Sequence, residues 1–457
     1  MAAIVTDPFK KQLTQTVFNE VTNTTARYYI GIGRSEQWDS SETVPDPTDS
    51  PRSIRNLRAS LQSLKSASDV TYVIPRYNWS SGTIYQAYDD DLTSIPNTSY
   101  YVLTEDNQVY ICLQQSKNAS GAAQASTVKP TGTTTKPFKT ADGYIWKFLF
   151  ALSATRASKF LSANFVPIEK ILDSAGGAGL SSLEIQQATV QDSAVAGQIL
   201  NIVVTNGGSG FTSTPTVTID GDGVRAAATA TVSGGAVTKI ELDSSTDSAM
   251  TMGQGYNFAS VSITGGGGTA ATARAVIGPD SGIGRDCRDE LKSTSLMFNT
   301  KPAGIEDSNF IVGQDFRQVT LIRNPKKNND SDLTGSSGKV LNFLQVTSVS
   351  DAADFTVDTL ITGGTSGAKA VIDEVDSDRI YFHQSETTGF KPFQEAEIIS
   401  GGGENATLVA EAADADSDAF TLDDVRKTSG QVLYIENRAP VVRSATQTED
   451  IKIVLTL

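Results

Sequence analysis

The chain has 457 residues, with 37 Lys and Arg against 52 Asp and Glu, so its formal net charge is −15. At ~100–200 residues per domain, this length predicts two to four domains. The acidic balance argues against a dedicated nucleic-acid-binding protein, because phosphate contacts need a basic face. A single His excludes a metal site built on two imidazoles. Cys112 and Cys287 are too few for a disulfide framework.

Membrane segments and export signals are not visible in the sequence. No apolar run approaches the ~18 residues of a membrane helix, and the first residues lack the basic and apolar regions of a signal peptide. We therefore predict a soluble protein of a reducing compartment, with no membrane and no nucleic acid among its partners. Abundant Ser, Thr and Gly favour a mainly β fold with a few short helices.

Two helices are predicted near the start of the chain. Asp7 is a suitable N-cap for the first helix and Pro8 suits its first turn. The predicted buried stripe of this helix repeats every four residues and contains Phe9, Leu13, Val17 and Val21. Ser50 and Pro51 give the same start signal for a second helix. Its predicted buried face contains Ile54, Leu57, Leu61 and Leu64.

Short strands are predicted from residue 69 onwards. Residues 100–103 and 108–113 flank the four-residue stretch 104–107, a spacing typical of a β-hairpin. Cys112 lies inside the second of these strands, so we expect a buried and inert thiol. Residues 144–150 are almost continuously apolar, which predicts a strand buried on both faces or against a partner chain.

Two different internal repeats interrupt this pattern. GSGF at 208–211 begins a unit that recurs from GQGY at 253–256, and ITGGTSGA at 361–368 recurs as ISGGGENA at 399–406. Each copy predicts two strands joined by a turn in which Gly supplies a positive φ. We interpret both blocks as small β-modules inserted into a host fold.

The predicted organisation is thus a mainly β protein with β-sandwich domains, a few short helices and two inserted modules. The predicted segments are a core part with both helices at 1–182, a Gly-rich module at 183–280 (module one), a core continuation at 281–335, a second module at 336–427 (module two) and C-terminal core strands at 428–457.

Sequence signals for enzymatic chemistry are weak. Gly31 and Gly33 resemble the start of a dinucleotide fingerprint, but the third Gly is missing. Asp414, Asp416 and Asp418 resemble the first ligands of a calcium loop that lacks its Gly and its final Glu. His383 has no identifiable Ser or Cys partner, which favours a structural role. We therefore predict no enzyme activity, no cofactor and no metal site.

Several distinctive segments occur in a fixed order outside the modules. They read GRSEQW at 33–38, PTDS at 47–50, VIPRYNW at 73–79, DGYIWKFLF at 142–150, FRQVTLIRNP at 316–325, SGQVLYIENRAP at 429–440 and QTEDIKIVLTL at 447–457. In this order they resemble the baseplate wedge subunit of T4-like contractile-tailed bacteriophages, the gene product eight family. The resemblance covers residues 28–168, 290–330 and 428–457, and the two modules are departures from it.

The resemblance implies a non-enzymatic virion protein with a mostly β, sandwich-like fold. It implies a homodimer that binds other baseplate wedge proteins, with tail-fibre-associated proteins as further partners. It also implies assembly in the host cytoplasm and a final location in the tail baseplate.

Large and cationic side chains within these segments are candidate anchors, of an interface or of the core. Trp is common in both settings, and Arg makes bidentate carboxylate contacts within a fold or across an interface. The candidate anchors are Trp38, Trp79, Trp146, Arg34, Arg76, Arg317 and Arg438.

Two alternatives remain open from the residues alone. The modules are candidate binding sites for host glycans, although module one offers only Phe211, Tyr256 and Phe258 as rings on which a sugar can stack. A glycan-cleaving enzyme would require a cleft with two carboxylates at catalytic separation.

Overall fold

The computed structural model describes residues 3–93, 99–171, 179–243, 251–306, 308–410 and 425–457. Asp414, Asp416 and Asp418 of the calcium-like loop lie outside the described residues. The chain divides into two compact units. Unit 1 contains residues 1–11, 71–295 and 456–457, and unit 2 contains residues 12–70 and 296–455. Each unit contains one of the two modules. This division is coarser than the predicted segments, whose boundaries stay a prediction.

The helices in the described ranges are mostly short. They are α1 (Asp7–Thr22), α2 (Pro51–Ala59), α3 (Ala154–Phe160), α4 (Ser182–Asp192), α5 (Cys287–Glu290) and α6 (Val349–Ala353). Helix α1 is confirmed and Val21 is buried, but Asp7 is its first helical residue and not its N-cap. The prediction is wrong for Phe9 and Leu13, which are exposed.

Helix α2 begins as the sequence predicts but ends earlier. The Ser50 side chain accepts a hydrogen bond from the Ser53 amide, and Pro51 is the first helical residue. The helix ends at Ala59, so Leu61 and Leu64 are buried in the following strand and not on the helix. A strand buried on both faces presents apolar residues at any spacing, so the periodicity of this stretch was not diagnostic.

The strands account for most of the regular structure, and the predicted mainly β fold is confirmed. The strands before module one are β1 (Tyr28–Gly33), β2 (Leu61–Ser66), β3 (Asp69–Pro75), β4 (Tyr101–Leu103), β5 (Gln108–Gln114), β6 (Phe138–Lys139), β7 (Ile145–Ala151) and β8 (Phe165–Ile168). Those of module one are β9 (Ile199–Ser209), β10 (Thr216–Gly221), β11 (Val224–Ala226), β12 (Ala228–Ser233), β13 (Ala236–Leu242), β14 (Met252–Gln254), β15 (Ala259–Thr264) and β16 (Thr269–Ile277). The remaining strands are β17 (Ser295–Thr300), β18 (Asp315–Arg323), β19 (Ser337–Lys339), β20 (Asn342–Gln345), β21 (Leu360–Gly363), β22 (Lys369–Asp376), β23 (Arg379–His383), β24 (Ile398–Gly401), β25 (Glu404–Thr407), β26 (Gln431–Val442) and β27 (Ile451–Thr456).

In unit 1, the sheet β4-β5-β7-β6 carries an aromatic core. The predicted hairpin is confirmed, because Leu103 pairs with Val109 across the four-residue connection and Asn107 adopts a positive φ of 57°. Burial of β7 on both faces is also confirmed, and it extends to Lys147. Burial lowers the pKa of the Lys147 ammonium.

Module one forms the six-stranded sheet β10-β15-β16-β9-β13-β12, with a separate β11–β14 pair. Its two repeat copies pair through their equivalent strands β10 and β15, in a register that places Thr218 opposite Ser262. Module two follows the same rule in unit 2. There the equivalent strands β21 and β24 pair with Thr362 opposite Ser400, inside the sheet β20-β23-β22-β21-β24-β25.

In module one, an aromatic ring of each copy packs on the Gly turn of the other copy. A methyl group added at Gly268, in the turn of the second copy, would lie 2.4 Å from the Phe211 ring of the first copy. A methyl group at Gly223, in the turn of the first copy, would lie 2.3 Å from the Tyr256 ring of the second. Each Gly turn is therefore required because the other copy's ring packs directly on its backbone.

Gly268→Ala is expected to destabilise module one by about 1–3 kcal/mol, since the added methyl group overpacks against Phe211. The measurement is a double-mutant cycle with Phe211→Leu, followed by hydrogen exchange of β10 and β15. We expect a smaller penalty for Gly268→Ala when residue 211 is Leu. Additive effects of the two substitutions would contradict the reciprocal packing.

In unit 2, the five-stranded sheet β19-β2-β1-β18-β26 packs on a core that includes Tyr29, Leu61 and Leu64. Strand β1 is buried along its whole length. A methyl group at Gly31 would lie 2.9 Å from both Leu61 and Thr320, so this Gly permits close side-chain packing inside the sheet. Gly31 and Gly33 therefore belong to a central strand and not to the glycine-rich turn of a dinucleotide-binding fingerprint.

Candidate functional site

The segment that follows β1, residues 34–50, is where most of the candidate anchors meet. A Cβ atom at Gly33 would lie 2.5 Å from the Ser60 carbonyl oxygen, so the chain passes close to its neighbour there. Arg34 then adopts a positive φ of 63°. Its amide donates to Ser60, and its carbonyl accepts from the amide of Arg317. These contacts direct the 34–50 segment out of the sheet of unit 2.

Trp38 connects this segment to the outermost strand. Its indole Nε1 donates to the carbonyl oxygen of Arg438 in β26 at 2.9 Å. The Arg34 guanidinium lies over the Trp38 ring, 4.1 Å from its centroid, which is a cation–π contact. The Arg438 side chain itself is half-exposed, and its Nη1 lies 3.9 Å from a carboxylate oxygen of Glu436. The three candidates Arg34, Trp38 and Arg438 thus form one contact.

Arg317 joins the same segment from β18. Its side chain is only 4% exposed. Nε and Nη2 donate to the two carboxylate oxygens of Glu42 at 2.9 and 2.7 Å, and Nη2 also lies 2.8 Å from Asp315. Nη1 donates to the carbonyl of Ser35. All five donors of a guanidinium lie in one plane, so a single Arg can fix these groups together.

Ser35 continues the network into module two. Its hydroxyl donates to one carboxylate oxygen of Asp373 at 2.9 Å, and the other oxygen lies 2.7 Å from Nδ1 of His383. The second ring nitrogen of His383 lies 3.9 Å from Glu36. Asp373 is completely buried and His383 nearly so. We call Ser35, Glu36, Asp373 and His383 the His383 cluster.

The His383 cluster is arranged for holding charge and not for nucleophilic catalysis. In a catalytic triad the Ser hydroxyl contacts the His and the carboxylate lies behind it. Here the Ser35 hydroxyl contacts Asp373, and Glu36 is bound by the Ser385 hydroxyl at 3.0 Å. Burial opposes the charge on His383, but Asp373 and Glu36 outweigh it and raise its pKa to about 9. The ring is therefore an imidazolium at neutral pH.

The other three candidate anchors lie in unit 1 at separate places. Trp146 is fully buried, stacked on Tyr144 with ring centroids 5.6 Å apart. Trp79 is half-buried and donates from Nε1 to the Ser126 hydroxyl at 3.2 Å. Arg76 is half-buried and donates to the Ser162 carbonyl and to Asn78, both at 2.9 Å. Whether any of the seven serves an interface stays a prediction.

Sequence reasoning missed Ser35, Glu36 and Asp373 as functional positions. Ser35 and Glu36 lie inside GRSEQW, one of the segments that carry the family resemblance, where the predicted anchors are Arg34 and Trp38. The available signal was His383 itself, since a His in a strand-like stretch needs a buried polar partner. Its partner Asp373 lies on the neighbouring strand β22, where the register with β23 shifts, and local sequence does not indicate this.

The aromatic side chains of module one bear on the glycan hypothesis. Phe211 and Tyr256 are buried by the reciprocal packing described above, whereas Phe258 is 69% exposed. Only one ring of module one therefore remains for stacking on a sugar. The glycan hypothesis stays a prediction.

Within the described ranges, no group of three or more His, Cys, Asp or Glu side chains is placed to hold a metal ion. No helix in the same ranges is long and apolar enough to cross a membrane.

Comparison with known proteins gives one family. Residues 358–457 match the family model described as Bacteriophage T4, Gp8. The baseplate wedge protein gp8 of Enterobacteria phage T4 is 31% identical over 80 residues, which cover 17% of this chain and 24% of that protein. The resemblance to the T4 gp8 family is confirmed.

The range matched by the family model extends beyond the C-terminal strands. It contains the C-terminal strands β26 and β27 and also most of module two, so the prediction that module two departs from the family is wrong for that part. The match to the curated T4 protein spans about a quarter of that protein's length. The resemblance of residues 28–168 and 290–330 stays a prediction.

Proposed function

We propose that this chain is a structural subunit of the baseplate wedge of a contractile-tailed phage. The observation that carries the proposal is the match of residues 358–457 to the gp8 family. In this role the chain forms a homodimer, binds neighbouring wedge proteins and, in some contacts, tail-fibre-associated proteins. It is assembled in the host cytoplasm, resides in the tail baseplate of the virion, and has no enzymatic activity and no cofactor.

Strand β26, inside the matched range, supports an assembly role. It is 12 residues long and is the last strand in its sheet order, with β18 as its neighbour. The 34–50 segment contacts it at Asn437 and Arg438. Towards the two ends of the strand, Leu433 and Val442 are 42% and 63% exposed. A long edge strand with exposed apolar side chains is suited to pairing with another chain.

The proposal is tested by assembly. We expect the purified full-length chain to sediment as a dimer and to form a stable complex when co-expressed with other wedge proteins of the same phage. A chain that stays monomeric at high concentration and binds no tail protein would contradict the proposal.

The double substitution Leu433→Lys and Val442→Lys is expected to weaken the dimer, because it places charges at the β26 edge. We expect the dissociation constant to rise about tenfold or more, the equivalent of about 1.4 kcal/mol. Sedimentation equilibrium measures this change. Val224→Lys, at an exposed Val of module one, is the matched control and should leave the dimer unchanged. Equal effects of both variants would exclude β26 as the dimer contact.

A further inference from the structure

A pocket of about 490 Å³ lies in unit 2 between helix α2, the end of β23 with the residues that follow it, and the stretch at 427–428. We call it the α2 pocket. Its lining is both apolar and cationic. The side chains used below are Arg55, Arg58, Phe382, Glu386, Phe390 and Lys427.

The apolar part of the α2 pocket is aromatic. Phe382 belongs to the core of module two and packs edge-on against Phe393, with ring centroids 5.7 Å apart. Phe390 lies in the same pocket and is 57% exposed. An exposed Phe beside a concave apolar surface is costly in water and is characteristic of a contact site.

The cationic part consists of side chains whose hydrogen bonds go to backbone carbonyls. Arg58 donates to three backbone carbonyls, those of Lys427, Ser429 and Gly430. Lys427 donates to the carbonyl of Ala59 at 3.3 Å. Within the described ranges, neither cation forms an ion pair with a carboxylate. Burial lowers the pKa of Lys427 to about 8, as expected for a desolvated ammonium.

The acidic side chain in the pocket is already engaged. Glu386 receives hydrogen bonds from Nε and Nη2 of Arg52 at 2.8 and 2.6 Å. Among the described residues that line the pocket, Arg55, Arg58 and Lys427 therefore outnumber the carboxylates, although the chain as a whole carries −15. A ligand that brings carboxylates would supply the counter-charge that this surface lacks.

We propose that the α2 pocket binds an acidic peptide segment of another tail protein, with an apolar side chain placed against Phe390 and carboxylates beside Arg55, Arg58 and Lys427. The local excess of positive charge in the described lining selects an acidic segment as the occupant, whatever the net charge of the whole chain. The inference rests on the proposed function in one respect, which is that the partner is a tail protein.

The test uses the full-length protein and a synthetic, fluorescein-labelled peptide in which Asp alternates with Leu and Phe. Fluorescence anisotropy is measured at low ionic strength, where surface charges are least screened. We expect saturable binding, and a peptide with every Asp replaced by Asn should bind about tenfold more weakly or worse. Equal binding of the two peptides, or no binding of either, would overturn the proposal.

Two variants locate the binding site. Phe390→Ser and, separately, Arg55→Glu should each weaken binding of the acidic peptide about fivefold or more. Both positions are exposed, so thermal unfolding should be unchanged. Phe258→Ser, at an exposed Phe in unit 1, is the matched control and should bind as wild type does. An equal loss in the control, or unchanged binding in both pocket variants, would overturn the assignment.

The remaining outcomes separate this inference from the proposed function. If Phe390→Ser abolishes dimerisation, the pocket is a contact between copies and the peptide proposal is wrong. If wedge complexes form but no acidic peptide binds, the proposed function stands and the pocket proposal fails. If peptides bind but no wedge complex forms, the reverse holds.

Discussion

The stabilisation that the His383 cluster gives to unit 2 is expected to disappear as the pH rises through about 9. In the folded chain, burial lowers the pKa of His383, but Asp373 and Glu36 outweigh burial and raise this pKa from 6.5 to about 9. A raised folded pKa gives stability that is fully present below 6.5 and is lost between 6.5 and about 9. The difference corresponds to about 3 kcal/mol. Urea unfolding of the full chain between pH 6 and 10 measures it.

His383→Gln provides the comparison. Gln can still donate to Asp373 but carries no charge, so the stability difference between wild type and variant should be largest near pH 6 and small near pH 10. Lys427 also affects the pH dependence of stability. Burial lowers its pKa to about 8, and the charge of Asp373 acts in the opposite direction. A lowered Lys pKa makes stability rise with pH above 8, opposite to His383. Because both proteins contain Lys427, its contribution cancels in the difference. Parallel pH curves for the two proteins would contradict the prediction.

Arg317→Ala is the second large effect that we expect. The substitution removes the donors that hold Glu42, Asp315 and the Ser35 carbonyl. Breaking a buried ion pair by removing one partner costs about 3–5 kcal/mol. Glu42 and Asp315 retain some contact with water, so we expect about 2–3 kcal/mol here. The free energy of unfolding in urea measures the loss, and hydrogen exchange should increase in β1 and β18.

Two further variants sharpen the Arg317 prediction. Arg317→Lys keeps the charge but not the bidentate geometry, so it should recover only part of the stability. Arg438→Ala is the matched control, since that half-exposed side chain approaches Glu436 only to 3.9 Å. Its expected cost is below about 0.5 kcal/mol. A loss in Arg438→Ala equal to that in Arg317→Ala would show that burial and pairing do not distinguish these two anchors.

Local sequence signals predicted the elements that local chemistry controls. Ser50 and Pro51 start α2 because a capping hydroxyl and a fixed φ act within one helical turn. The stretch 104–107 connects a hairpin because turn geometry is local too. The stripe of α1 was less informative, since periodicity identifies one face of a helix but not whether anything covers it. Phe9 and Leu13 lie on that face and remain exposed.

The candidate site was only partly accessible from sequence. Arg34, Trp38, Arg317 and Arg438 were singled out as separate candidates, and the structure brings them together around the 34–50 segment. The His383 cluster was not foreseen, because Ser35 and Asp373 are separated by several hundred residues of chain. Hydrogen-bond partners that distant are set by sheet register and packing, which carry no local sequence signature.

By itself, the sequence determined the mainly β class, the two repeats, the Gly turns within them and the resemblance to the gp8 family, which the match at 358–457 confirms. These properties depend on composition, short-range geometry and the order of segments. Only the tertiary structure decided that each pair of repeat copies joins through its equivalent strands, and that Phe211 and Tyr256 are buried on the opposite copy's turns. It also decided which charges are compensated. Arg317 and His383 have carboxylate partners, whereas Arg58 and Lys427 donate to backbone carbonyls, because pairing depends on distances that the order of residues does not specify.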